Sequence, residues 1–281
     1  MKFASFNVGD SAHYGPVSGE VIHAVPDRMR GQFPDLKSAI AGQALEQVAA
    51  AALRDGTPYP LASLQYAPVI ANPGKIICVG LNYRAHGDET GRPDYPALFV
   101  RFADTQIGHG ENLTLSAESA MFDFEGELAV VIGTPGHGIA EAAALDHIAG
   151  YACYNDATMR DWQRHSSQYT AGKNFPGTGA FGPFLVTADE VGDPSQLAIA
   201  TRVDGAVMQS ASTADMLFSV RDIIAYVSRF TPLAAGDVLV TGTPAGAGAG
   251  RKPPVFLTAG MVVEVEIERV GLLRNVVAAV Q

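Results

Sequence analysis

The stretch Phe122-Asp123-Phe124-Glu125-Gly126-Glu127-Leu128-Ala129-Val130-Val131-Ile132-Gly133 constrains this chain more than any other. Its apolar second half, closing on glycine, reads as a buried strand. Alternate side chains of a strand share a face, so Glu125 and Glu127 point the same way, roughly 7 Å apart along the backbone. Leu128, Val130 and Ile132 take the opposite face, and Ala129 and Val131 continue the glutamate side inward. Two like charges then stand at the end of a buried strand. A carboxylate pair at ~4 Å repels by about 4 kcal/mol at an effective dielectric of ~20. A shared proton, a basic side chain or a hard cation must neutralise them; a strand end open to solvent is the plain alternative.

Asp156 adds a third carboxylate. It follows the strand-like run Tyr151–Asn155 and is expected to open a helix carrying Arg160 and Gln163, at i+4 and i+7 on the same helical face. Three carboxylates suit an oxygen-ligated, octahedral Mg²⁺ or Mn²⁺ with open water positions, with Ca²⁺ a further candidate. Zinc fits less well, because no Cys or His nearby has suitable ligand spacing. A helix N-cap is the structural alternative for Asp156, and it does not exclude ligation.

The rest of the chain reads as mainly β with short helices, an α+β class. Phe3–Val8 and Val17–His23 look like short strands, and Pro34–Leu53 carries Leu36, Ile40, Leu45, Val48 and Leu53 on an apolar helical stripe. Residues 1–70 are therefore expected to form a small N-terminal subdomain ahead of a main body over 71–281. Val262–Glu268 alternates apolar and acidic residues, as in a half-exposed strand. Ser212-x-x-Asp215 resembles a capping box, and the apolar spacing from Met216 to Val227 is helical.

Lys and Arg total 19 against 29 Asp and Glu, a net charge of −10. That argues against nucleic acid or an anionic membrane as the main partner, since both need a basic surface. Charged residues make up only 17%, fewer than the roughly 25% of ordinary domains, which points to extra buried surface as in an oligomer. The start of the chain has no apolar signal region and no segment reaches membrane-span length, so the expected location is cytoplasmic. Cys78 and Cys153 sit in strand-like runs and read as buried free thiols. The glycine-rich 246–250 segment lacks the Gly-Lys-Ser/Thr ending of a phosphate loop, and no Gly-x-Ser-x-Gly elbow marks a serine esterase.

Asn82-Tyr83-Arg84-Ala85-His86-Gly87-Asp88-Glu89, Glu125-Gly126-Glu127, Asn155-Asp156, Gly172-Lys173, Thr241-Gly242-Thr243-Pro244 and Arg251-Lys252-Pro253-Pro254 occur in that order. Together they resemble the fumarylacetoacetate hydrolase (FAH) family, over about residues 73–278. The resemblance implies a mixed β-sandwich roll, a divalent metal and a homodimer. Carried over residue by residue, Glu125, Glu127 and Asp156 match the metal ligands, and His86 and Glu89 match a His-x-x-Glu pair of a short helical lid. Lys173 matches the lysine beside the metal, Arg160 and Gln163 match substrate-oxygen contacts, and Thr243 matches the threonine of the Thr-Gly-Thr loop. Arg101-Phe102 stands where many members have Lys-Pro. An always-charged, bidentate Arg101 favours holding a substrate carboxylate over proton transfer.

The function this implies is divalent-metal-dependent hydrolysis of a C–C bond in a small 1,3-diketo acid such as an acylpyruvate, passing through an enolate, as in the catabolism of aromatic compounds. His86, oriented by Glu89, would activate water, and Lys173 would steady the oxyanion. The alternative is an isomerase or decarboxylase of a 2-oxo acid, of oxaloacetate or of a hydroxymuconate-type acid at the same site. Loss of a ligand or of the dyad would favour a non-catalytic metabolite-binding protein that keeps the fold, and here all are present.

Overall fold

The computed structural model describes residues 1–84 and 93–280. The strand Gly126–Ile132 is buried along its whole length, because a core covers each of its faces. Leu128, Val130 and Ile132 pack with Ile199, Val263, Val265, Ile267 and Leu273. Ala129 and Val131 pack on the other side with Ala39, Ile40, Val48 and Ala52. This is the division of faces that alternation along the strand predicts, and it explains why the run shows no polar position after Glu127.

Gly126–Ile132 lies inside a 12-stranded sheet, flanked by antiparallel neighbours Ile148–Asp156 and Val238–Val240. Beyond Val238–Val240 come Ile76–Gly80, parallel to it, and Ala97–Arg101 at the edge. Beyond Ile148–Asp156 come Gly179–Thr187 and then Lys2–Val8, so the first residues of the chain extend the same sheet. A five-stranded sheet, in the order Ala206–Ser212, Ala198–Val203, Val262–Ile267, Gly271–Ala279 and Asn112–Leu115, covers one face and makes a sandwich. The helices Leu36–Ala41 and Leu45–Asp55 cover the other. The α+β class and the FAH-type roll are thus as expected.

Two helices differ from their sequence-based bounds. The single helix expected over Pro34–Leu53 is two, separated at Gly42–Ala44, where Gln43 takes a left-handed φ of 51°. A Cβ on Gly42 would stand 2.5 Å from the Phe33 ring, so the break packs tightly under that side chain. The Ser212/Asp215 capping box is present but opens only the short turn Thr213–Asp215. The α-helix begins at Val220, under a second reciprocal box made by Ser219 and Asp222. Met216 and Leu217 do not join it, because their backbones bridge to Tyr83 and accept the company of Asn82 instead, with Leu217 N–H donating to the Asn82 carbonyl at 2.8 Å. Cys78 and Cys153 are free and buried.

Candidate metal centre and active-site cavity

Strand direction brings the carboxylates together. Gly126–Ile132 and Ile148–Asp156 run antiparallel with Gly126 opposite Asn155, so the start of one strand meets the end of the other. The Asp156 N–H donates to the Glu125 carbonyl at 2.8 Å. One ligand oxygen from each of Glu125, Glu127 and Asp156 then lies within 4.8 Å of the others, and all three residues are buried. The strands Val238–Val240 and Ile76–Gly80 deliver the Thr241-Gly242-Thr243 loop and Gly80-Leu81 to the same end of the sheet.

Asp156 is the last residue of its strand, not a helix N-cap. The helical turn starts four residues on, at Arg160–Gln163. The expected shared helical face of Asp156, Arg160 and Gln163 does not exist, because the backbone of Asp156 is held by the sheet. Arg160 nevertheless reaches the site: its Nη2 lies 2.6 Å from Glu125 and its Nε 2.8 Å from Asp123, while Nη1 donates to the Gln163 side-chain oxygen at 3.1 Å. Lys173 is buried, with Nζ 2.5 Å from Glu125 and 2.6 Å from Asp156 and 4.8 Å from the centre of the Phe99 ring.

Arg101 is buried behind the site. It donates to Asp156 at 2.5 Å, to the Ala157 carbonyl at 3.2 Å and to Thr178 Oγ1 at 2.6 Å, and it is absent from the cavity wall. In place of the expected substrate contact the structure shows the Arg101 guanidinium facing Asp156, so the carboxylate it orients here is one of the protein's own. Thr243 does line the cavity, but its hydroxyl donates to the Gly126 carbonyl at 3.0 Å and accepts from Gln209 Nε2 at 2.8 Å, so its proton is already engaged. His86 and Glu89 lie outside the described residues.

Asp123 is a fourth buried carboxylate beside the site, one that the sequence motifs do not single out. Its buried carboxylate takes Arg160 and also accepts from the N–H groups of Gly248, at 2.7 Å, and Ala249, at 2.9 Å. It thereby ties the glycine-rich loop, which forms part of the cavity wall, to the arginine that holds Glu125. The available signal was its spacing, two residues before Glu125 in the same acidic stretch.

Asp123, Glu125, Glu127 and Asp156 face Arg101, Arg160 and Lys173, which leaves one negative charge in excess when all are ionised. The excess falls on Glu127, whose carboxylate receives one described hydrogen bond, from the Gly242 N–H at 2.5 Å. Burial pushes its pKa well above the usual carboxylate range, and Asp156 and Glu125 add to the rise. Burial would raise Glu125 too, but Arg160 and Lys173 outweigh it and hold that carboxyl low. For Lys173 burial favours the neutral amine, and the Asp156 and Glu125 charges outweigh it, so the ammonium persists.

The donor set fits a divalent cation. Octahedral ligands at about 2.1 Å from an ion span up to about 4.2 Å, so closure by a few tenths of an ångström would suffice. A carboxylate has about four lone-pair sites, so the oxygens that accept from Lys173, Arg101 and Arg160 keep coordination capacity. At the carboxylates opens a cavity of about 590 Å³, whose lining includes Val79, Leu81 and Phe99 as well as Gln163, Arg164, Ser166 and Ser167.

The sequence profile described as fumarylacetoacetate (FAA) hydrolase, C-terminal, matches residues 75–278. The chain belongs to the fumarylacetoacetate hydrolase family. Among its curated relatives is the bovine mitochondrial oxaloacetate tautomerase FAHD2A, 42% identical over 83% of this chain and 76% of that protein; the human FAHD2A is likewise 42% identical over the same shares. Among solved structures, the fumarylacetoacetate hydrolase of Exiguobacterium antarcticum superposes with a TM-score of 0.88 at 35% identity, covering 100% of both chains. The maleylpyruvate hydrolase of Sphingobium sp. SYK-6, in complex with manganese(II) and pyruvate, gives 0.84 at 28% identity with the same coverage. Among the described residues no helix is long and apolar enough to cross a membrane.

Proposed function

We propose that this FAH-family enzyme interconverts the keto and enol forms of a short 2-oxo diacid of the oxaloacetate type. The observation that carries the reading is Lys173: a buried ammonium, pinned between Glu125 and Asp156 at the cavity floor, is placed to stabilise negative charge on an enolate oxygen. The likeness to oxaloacetate tautomerases supports the same substrate class. A Mg²⁺ or Mn²⁺ ion held by Glu125, Glu127 and Asp156 would supply Lewis-acid polarisation of the 2-oxo group. Gln163 gives its side-chain oxygen to Arg160, which leaves its amide N–H groups for a substrate oxygen at the cavity wall. In the forward direction a proton leaves the carbon between the two carbonyl groups and one is added to the 2-oxo oxygen; His86, oriented by Glu89, is the proposed carrier at carbon. The chain is also proposed to act as a homodimer, for which light scattering should give twice the single-chain mass.

A second reading, hydrolysis of an acylpyruvate-type C–C bond, draws on the full-length likeness to maleylpyruvate hydrolase. It asks more of the same dyad, which must then deprotonate water. The two separate in one assay series on metal-loaded protein. Decay of the oxaloacetate enol followed by ultraviolet absorbance should be accelerated and should fail in His86→Ala. Release of pyruvate from an acylpyruvate without acceleration of enol decay would replace the first reading by the second.

A further inference from the structure

Among the described residues the cavity wall holds three cationic side chains, and two of them are already engaged. Arg160 is shared between Asp123 and Glu125, and Lys173 between Glu125 and Asp156. The third, Arg164, is exposed at the lip, and its guanidinium has no ion-pair or hydrogen-bond partner among the described residues. It follows the Arg160–Gln163 turn directly, and the wall continues through Ser166 and Ser167. The Ser167 hydroxyl oxygen accepts from Gln168 Nε2 at 2.9 Å and keeps its own proton to donate. Val79, Leu81 and Phe99, also in the lining, have apolar side chains that offer an anion no charge.

Charge balance bears on the role of this cation. The carboxylates and cations beneath the cavity leave one negative charge, so a divalent ion brings the site to one positive charge, enough for one substrate carboxylate. A diacid carries a second, and among the described residues the lining guanidinium that remains is that of Arg164. Its fork is always charged and matches a carboxylate bidentately. We propose that Arg164, with Ser166 and Ser167 beside it, binds the distal carboxylate of the substrate and selects 2-oxo diacids over 2-oxo monoacids. The proposal rests on the enolising reading for the identity of the substrate's other end.

The test compares the Mn²⁺-loaded wild type with Arg164→Gln and Arg164→Lys by calorimetric binding of 2-oxoglutarate, a diacid, and pyruvate, a monoacid. Wild type should bind 2-oxoglutarate more tightly. Losing a charge-assisted contact should weaken the diacid in Arg164→Gln by roughly tenfold or more while pyruvate moves by less than about twofold, and Arg164→Lys should recover part of the loss. For oxaloacetate the Arg164→Gln defect should fall on KM rather than on kcat. No diacid preference in wild type, or equal weakening of both ligands in Arg164→Gln, overturns the proposal. A wild type that binds diacids through Arg164 but does not accelerate decay of the oxaloacetate enol leaves the subsite standing and removes the enolising reading alone.

Discussion

Glu127 carries the least compensated charge of the site, and two outcomes follow from it. Its folded-state pKa lies above that of the unfolded chain, so between the two values the folded protein holds a proton that the unfolded chain has released. In that window the stability of the metal-free protein falls as pH rises. Divalent ions should remove the dependence, and Mn²⁺ affinity should itself weaken as pH falls toward that raised pKa, because proton and ion compete for one carboxylate. Thermal melts and Mn²⁺ titrations between about pH 5 and about pH 8 check both directions. Glu127→Gln should abolish tight Mn²⁺ binding yet raise the melting temperature of the metal-free protein by roughly 2–4 °C, the shift that about 1 kcal/mol gives in a chain of this size. A variant that binds Mn²⁺ as wild type does would show that the ion does not use Glu127. At this scale the pairing of Glu125 with Glu127 was legible, because a strand's alternation decides which side chains share a face. Asp123 and the true posture of Arg101 were not, since nothing local says that one gathers loop amides and the other turns inward to Asp156.

Among elements, the glycine-rich segment 246–250 is joined to the metal centre by one side chain. Asp123 bonds the N–H groups of Gly248 and Ala249 and the Arg160 guanidinium from a fully buried position. Asp123→Asn leaves Arg160 short of a counter-charge, and breaking a buried pair from one side costs about 3–5 kcal/mol. Urea unfolding of the metal-free variant should show a loss of that order; a loss below about 1 kcal/mol would mean that solvent or a neighbour replaces the carboxylate. Helix ends were the least legible elements. The Ser212/Asp215 box and the Ser219/Asp222 box look alike in sequence, and which one starts the α-helix depends on Asn82 and Tyr83 taking the backbone of Met216 and Leu217, a contact made across more than a hundred residues.

For the whole molecule, residues before 71 are built into the same core as the site-bearing strand. Phe3, Ile40, Val48 and Ala52 pack with Ala129, Val131 and Ala152, and Lys2–Val8 pairs with Gly179–Thr187. A chain beginning at residue 71 would expose that core and leave the strand pairing of Lys2 and Phe3 with Val186 and Leu185 unmade. It should lack a cooperative thermal transition by circular dichroism; a cooperative melt would show that 71–281 folds as an independent domain. Local pattern by itself determined the β character, the face on which Glu125 and Glu127 stand and the burial of the strand behind them, because those depend on neighbours in the chain. Tertiary structure alone decided that Asp156 meets them through antiparallel register, that Lys173 enters from a separate turn, and that Arg164 is left without a counter-charge among the described residues. Electrostatic neutrality is a property of groups assembled in space, and it has no counterpart in the order of residues along the backbone.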